Sequence, residues 1–377
     1  MANDKDFVVA GAVEVGKDTK VTLGSITSSD IDLATGNYFA DTLAANTTYT
    51  LSNAGDVQAF QLEVTGGSIG YDIASATYSG NSFSVGSQDS QPNSITFKSD
   101  GTSFYMIGDT TGSVYQYNLS TAYDISTASY ASKSFSVSQE SNEYGLSFSS
   151  DGTKMYVCGS QQDTVFQYTL STAWDVSTAS YASKSYPSGQ TTGTTNVAFN
   201  NDGTKMYISG WDVDQIFQYT LSTAWDVSTA SYDSKSLSVG SQEANIRDFT
   251  FWNNGTTILI TGNTDDTVYE YTLSTAYDVS TGSYSGNSFS YTGQDGNGTG
   301  VMANPDGSSV YVSGTSTDTV YQYSTASTVT VTWPSSIEWA GGVAPSAPAT
   351  GETDVYTLVT DDGGTSYVGV KTADNLS

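Results

Sequence analysis

Two kinds of side chain in this 377-residue sequence could do chemistry by their type and spacing. The first is a recurring glutamine–acid pair: Gln88-Asp89, Gln139-Glu140, Gln242-Glu243 and Gln294-Asp295, with Gln190-Thr191 breaking the series. A second set of acids, Asp163, Asp214, Asp266 and Asp318, recurs at another fixed place in the same units. Carboxylates gathered on one face could coordinate Ca²⁺ or bridge to a charged glycan. Aspartate also favours turns whatever its function. No loop carries the closely spaced acids of an EF-hand, so turn formation is the preferred explanation. Trp211 stands apart, because Gly210-Trp211-Asp212-Val213-Asp214 has an aromatic where the other units have Gln, Thr or Asn. A ring at a turn tip beside two carboxylates could stack on a sugar or contact a partner. The candidate ligand or receptor face therefore comprises Asp89, Glu140, Glu243, Asp295, Trp211 and Asp214.

Catalysis is a weaker expectation. Glycoside chemistry needs two carboxylates whose pKa values are driven apart. The segments Asn93–Phe97, Tyr144–Phe148, Thr195–Phe199, Arg247–Phe251 and Gly300–Ala303 read as equivalent inner strands, and only the fourth carries charges, Arg247 and Asp248. Those two can simply pair with each other, and near-identical units lack the asymmetry an acid and a base require. A glycan-degrading enzyme would have to use residues such as Asp248, Glu140 or Glu243. The sequence has no histidine, which excludes Ser-His-Asp machinery and histidine metal sites, and the single Cys158 can form no internal disulfide. With 39 acidic against 11 basic residues the net charge is -28, which disfavours nucleic acid and anionic lipid as partners. No catalytic residue, cofactor or membrane insertion is expected, Ca²⁺ being the only ion under consideration.

The elements that position these residues are repeats. Segments beginning Tyr71-Asp-Ile, Tyr123-Asp-Ile, Trp174-Asp-Val, Trp225-Asp-Val and Tyr277-Asp-Val follow one another at steps of 52, 51, 51 and 52 residues. Each unit reads as four short strands around an Asp-Gly or Asn-Gly hairpin turn: Asp100-Gly101, Asp151-Gly152, Asp202-Gly203, Asn254-Gly255 and Asp306-Gly307. Four strands in a period near fifty residues predict a blade of a β-propeller. The first unit opens with a spare outer strand, Thr77–Val85, and the last lacks one after Thr319–Tyr323. Pairing these two would close a ring of five blades with no free edge. The tryptophans and tyrosines at 123, 174, 225 and 277 share one repeat position and are expected to pack between blades.

The flanks do not share the repeat. Leu62–Thr65 and Thr328–Trp333 alternate as strands and are expected to form one hairpin whose loop the propeller replaces, since the ends of the inserted module would lie about 5 Å apart. Residues 1–67 and 327–377 would then make a small antiparallel β-sandwich or jelly-roll, with strands near Thr19–Leu23, Asn46–Leu51, Ala59–Val64, Val329–Trp333, Asp354–Thr360 and Ser366–Val370. Residues 68–326 would form the five-bladed β-propeller.

The flank pattern Asn46-Thr-Thr-Tyr49-Thr-Leu51, Phe60-Gln-Leu-Glu-Val64, Thr330-Val-Thr-Trp333-Pro334, Ile337-Glu-Trp339-Ala-Gly-Gly342, Asp354-Val-Tyr356-Thr-Leu358 and Asp362-Gly-Gly-Thr365-Ser-Tyr367 resembles a small β domain of tailed-bacteriophage structural and fibre proteins. The openings Phe7-Val-Val and Val13-Glu-Val-Gly16 resemble the start of such proteins, especially those of marine phages. The resemblance covers about a third of the chain. It implies a non-enzymatic virion protein, a tail or head fibre component, attached to other virion proteins by the flank domain. The propeller would project for host-surface glycan attachment, or serve as capsid or tail decoration. Such fibre proteins are frequently homo-oligomers, often trimers. The amino terminus lacks a basic segment followed by an apolar run, so synthesis in a host cytoplasm without a secretory signal is expected.

Overall fold

A computed structural model describes residues 21–43, 46–66, 68–348 and 351–376. The flank segments around Phe7 and Val13, and the first half of the strand expected at Thr19–Leu23, lie outside the described residues. The chain divides into two compact units, Met1–Tyr71 with Ser327–Ser377, and Asp72–Ala326. Among the described residues there is no α-helix, only strands and short 3₁₀ turns.

The central unit consists of five four-stranded antiparallel sheets among the described residues. Sheet one contains Pro92–Phe97, Ser103–Gly108, Ser113–Leu119 and Ala128–Ser136. Sheets two, three and four repeat this order, beginning at Glu143–Phe148, Thr194–Phe199 and Ile246–Trp252. Sheet five takes three strands from Gly298–Ser324 and its fourth from the start of the unit: Thr77–Ser84 pairs antiparallel with Thr319–Ser324, in the register Thr319↔Ser84 to Ser324↔Thr77. First strands of successive sheets lie beside one another, and that of sheet five lies beside that of sheet one. This is β-propeller architecture.

Apolar side chains fill the spaces between sheets. Tyr311 and Val320 of sheet five pack with Ile95, Phe97, Phe104 and Met106 of sheet one. Tyr105 and Ile107 of sheet one pack likewise with Leu146 and Val157 of sheet two. The recurring aromatic-Asp-Ile/Val motif explains itself locally. Asp124, Asp175, Asp226 and Asp278 each cap a 3₁₀ turn by accepting from the backbone N–H two residues on. The next residue, Ile125, Val176, Val227 or Val279, is fully buried. Sheets are also tied by ion pairs, Lys133–Asp175 at 2.7 Å, Lys184–Asp226 at 2.5 Å and Lys235–Asp278 at 2.5 Å. The shared aromatic position packs between sheets: Trp174 lies 6.2 Å from Tyr105 and 5.5 Å from Phe148, centroid to centroid.

The flank unit is built differently from the expected antiparallel hairpin host. Its five-stranded sheet is mixed, with Gln58–Thr65 parallel to Tyr38–Thr42 and antiparallel to Thr353–Thr360. The segment after the propeller, Val331–Thr332, pairs instead with Thr47–Thr48, in parallel. Leu62–Thr65 is thus not the partner of Thr328–Trp333. Both edges of Gln58–Thr65 are occupied by other strands, and alternation alone does not say which strand pairs with which. A separate two-stranded pair joins Ser68–Tyr71 and Ala326–Thr328. The residues that carry the flank resemblance form its core: Tyr49, Phe60 and Tyr356 are buried, and Trp333 lies 4.9 Å from Trp339 and from Tyr356.

Candidate functional site

The glutamine–acid pairs lie in the loop entering each first strand, opposite the turn between the second and third strands. Asp89, Glu140, Glu243 and Asp295 are each no more than 4% exposed. Asp89 accepts hydrogen bonds from the N–H groups of Gln91 and Thr111, both at 2.8 Å, and from the Thr111 hydroxyl at 2.6 Å. Asp295 repeats this with Asn297 N–H at 2.8 Å, Thr317 N–H at 3.0 Å and the Thr317 hydroxyl at 2.7 Å. Glu140 accepts from Ser141, Asn142 and Gln162 N–H, and Glu243 from Asn245 N–H at 2.8 Å. Asp89, Glu140 and Asp295 each clamp two loops, satisfying backbone donors that would otherwise be buried without partners, while Glu243 accepts within its own loop. A glycine ending the second strand makes room: a Cβ on Gly108 or Gly314 would come within 2.2 Å of the Asp89 or Asp295 carboxyl carbon.

The glutamines are structural as well. Gln139, Gln190, Gln242 and Gln294 accept from the hydroxyls of Tyr168, Tyr219, Tyr271 and Tyr323 at 2.7–2.9 Å. In the exceptional loop the acid moves to the facing turn. Asp212 accepts from the Thr191 hydroxyl and from Thr192 N–H at 3.0 Å, so the same junction is closed from the other side. These hydrogen bonds outweigh burial and hold the Asp212 carboxyl below its usual range. This exchange was legible in the sequence, because Thr191 breaks the series where Asp212 is added.

The four acids expected on an exposed ligand face are therefore buried and hydrogen-bonded within their loops. Among the described residues no group of three or more acids, cysteines or histidines could hold a metal ion. The remaining two expected site residues are more accessible. Trp211 is 41% exposed, its ring resting on Gly193. Asp214 is half-buried and left-handed, with φ 51, as are Asp163, Asp266 and Asp318 at the equivalent turns. Burial raises the pKa of all four, with neighbouring carboxylates adding to the effect.

Arg247 and Asp248 do not pair with each other. The Arg247 guanidinium lies over the Tyr144 ring at 5.3 Å. Asp248, 1% exposed, sits among the first strands. Its oxygens accept from Phe249 N–H at 2.7 Å, Ser94 of sheet one at 3.1 Å, Val301 N–H of sheet five at 3.1 Å and the Asn196 amide of sheet three. Burial pushes its carboxyl well above the usual range against those four donors. Adjacent in sequence, the two side chains leave a strand on opposite faces, which is why they cannot meet.

At the opposite end, where the Asp-Gly turns lie, the unit has a cavity of about 390 Å³ lined by Phe97, Tyr123, Phe148, Phe199 and Trp225. A narrower cavity of about 180 Å³ shares Ser147, Phe199 and Asn201 with it and reaches Asp248.

No family model and no curated protein matches this chain. Among solved structures it is similar to a functionally unknown protein from Desulfotomaculum acetoxidans, with 11% identity, TM-score 0.38 and coverage of 59% of this chain and 62% of that one. The β-propeller domain of Cps50 (Swd1) from Myceliophteria thermophila gives 10% identity and TM-score 0.38 over 64% of this chain and 99% of that one. A chain of the mitotic checkpoint complex gives 14% and 0.36 over 59% and 60%. The chain thus spans less than two thirds of the first and third of these proteins. Likeness at this level assigns no activity.

Proposed function

We propose that this chain is a non-enzymatic structural protein of a tailed-phage virion, a tail or head fibre component displaying a five-bladed propeller for attachment to host-surface glycan. In this reading the Thr77–Ser84 strand closes the ring of five blades, and the propeller is inserted between the two halves of the flank unit, which attaches to other virion proteins. One observation carries the non-enzymatic part. The loop acids, the best candidates for acid/base chemistry, are each buried and taken up in hydrogen bonds from backbone N–H groups of their own loops or of the facing turns. The virion role rests on the resemblance of the flanks to phage fibre domains, whose shared aromatic residues form the flank core.

Antibody labelling of purified virions should decorate tails or head fibres, and absence of label would sink the virion reading. On a glycan array the protein should bind a defined set of glycans without releasing sugar. Binding should persist in EDTA, because the clamped carboxylates are not free to take Ca²⁺. Release of free sugar would instead favour a depolymerase, and no binding at all would favour pure decoration.

A further inference from the structure

We infer that the glycan-binding site lies at the Asp-Gly-turn end of the central channel, and that it takes one uncharged pyranose ring held on Tyr123 and Trp225 with the Asn201 amide at its edge. This rests on the proposed adhesin role and moves its site away from Trp211, at the opposite end. The main cavity, about 390 Å³, falls within the range of about 300–1,000 Å³ usual for small-ligand sites. Its walls are aromatic rings, its rim hydroxyls and amides, including Ser99, Ser150 and Asn201. That mixture suits a sugar, which offers C–H faces to rings and hydroxyls to amides.

Charge at this mouth argues against an anionic ligand, since its lysine is paired and its turn aspartates keep their negative charge. Lys98 is paired with Asp100 at 2.6 Å. Asp151, Asp202 and Asp306 accept from the N–H and hydroxyl of Thr153, Thr204 and Ser308 in their own turns at 2.6–3.0 Å.

Departures from the repeat mark the place. Four first strands carry phenylalanine at one repeat position, Phe97, Phe148, Phe199 and Phe251, where the fifth has Ala303 after Met302. Near this gap a third cavity of about 200 Å³ is lined by Ala303, Met302 and Asn201. Asn201 is exposed and borders all three cavities, where sheets one and two carry Ser99 and Ser150. Packing accounts for Ala303, because the Trp252 ring lies against its cluster and covers Gly307, but packing of identical blades does not require the Asn201 amide.

Saturation-transfer NMR on the full chain, with methyl glucoside, methyl galactoside, methyl mannoside and N-acetylglucosamine as probes, tests the assignment. At least one probe should bind. Asn201→Ala should weaken it about tenfold with an unchanged melting temperature, since Asn201 is exposed. Ser150→Trp, which fills the mouth from the rim, should abolish binding, while Trp211→Ala leaves it intact. Binding lost in Trp211→Ala but kept in Asn201→Ala and Ser150→Trp would overturn this site and leave the adhesin reading standing. No probe bound, together with a blank glycan array, would overturn both.

Discussion

The two ends of the central unit solve one problem with different chemistry. Every loop joining strands must satisfy buried backbone N–H groups and fill the space between neighbouring sheets. At the end carrying the glutamine–acid pairs, carboxylates do this, and the tight fit needs glycine opposite them. At the Asp-Gly-turn end, the recurring aromatics fill the space: Trp174 and Trp225 adopt φ 63 and cover Gly152 and Gly203. The difference teaches that an acidic protein need not present its acids. The acids that look reactive by composition are closed off by hydrogen bonds, although a cavity of about 340 Å³ lies beside Gln190 and Asp212 at their end. The end that looks merely structural has one of about 390 Å³.

Substitutions can break this comparison. The largest effect should come from the aromatic end: Trp174→Ala removes a ring packed on Tyr105 and Phe148 and should destabilise by about 4 kcal/mol, read by denaturant unfolding. A loss below about 1 kcal/mol would mean that the rings do not brace the sheets. Next, Thr191→Asp should place a second carboxylate against Asp212 and destabilise by about 2 kcal/mol. Adding Asp212→Thr to that variant rebuilds the arrangement of the other loops and should restore most of the loss. Without such rescue, the exchange between sides of the junction would be mistaken.

Two smaller effects concern pH. The Ser149 hydroxyl and the turn N–H groups hold Asp151 down at about 2, and the Lys98 ammonium with the Thr102 hydroxyl holds Asp100 there. A lowered carboxylate contributes stability above its unfolded value near 4 and loses it as pH falls towards 2. Asp151→Asn should therefore flatten the fall in melting temperature between pH 4 and pH 2. For Asp163, Asp214, Asp266 and Asp318 the sign is opposite. Their raised values mean stability present at low pH and lost as pH rises from the ordinary carboxylate range through the raised one. Asparagine tolerates the left-handed backbone at 214, so Asp214→Asn should raise the melting temperature by about a degree at pH 7 and have no such benefit at pH 3. A lower melting temperature at pH 7 would show that this carboxylate is a clamp like Asp89.

Much of this was legible in the sequence because repetition reports local rules. The fixed step between aromatic-Asp-Ile/Val segments, the Asp-Gly turns and strand alternation are all satisfied within one sheet, and the displaced strand Thr77–Ser84 could be matched to Thr319–Ser324 by counting. The glutamine–acid pairs were equally visible, but not their meaning. Whether a carboxylate faces water or a facing turn's N–H depends on a contact some twenty residues away, as between Asp89 and Thr111. Three of the five strands in the flank sheet were expected, but Tyr38–Thr42 and Ile337–Trp339 were not. The pairing was not legible, because Gln58–Thr65 alternates identically whether its neighbour is Val331–Thr332 or Thr353–Thr360.

By itself the sequence determined what local periodicity and turn chemistry dictate: strands, repeat length, and which residue types recur at which place. Only the tertiary structure decided what those residues face. It buried four loop acids, separated Arg247 from Asp248, gathered Ser94, Asn196 and Val301 around the latter, and opened a cavity at the aromatic end. The physical reason is that burial and hydrogen bonding are properties of neighbours brought together by folding, and a linear pattern names the groups without naming those neighbours.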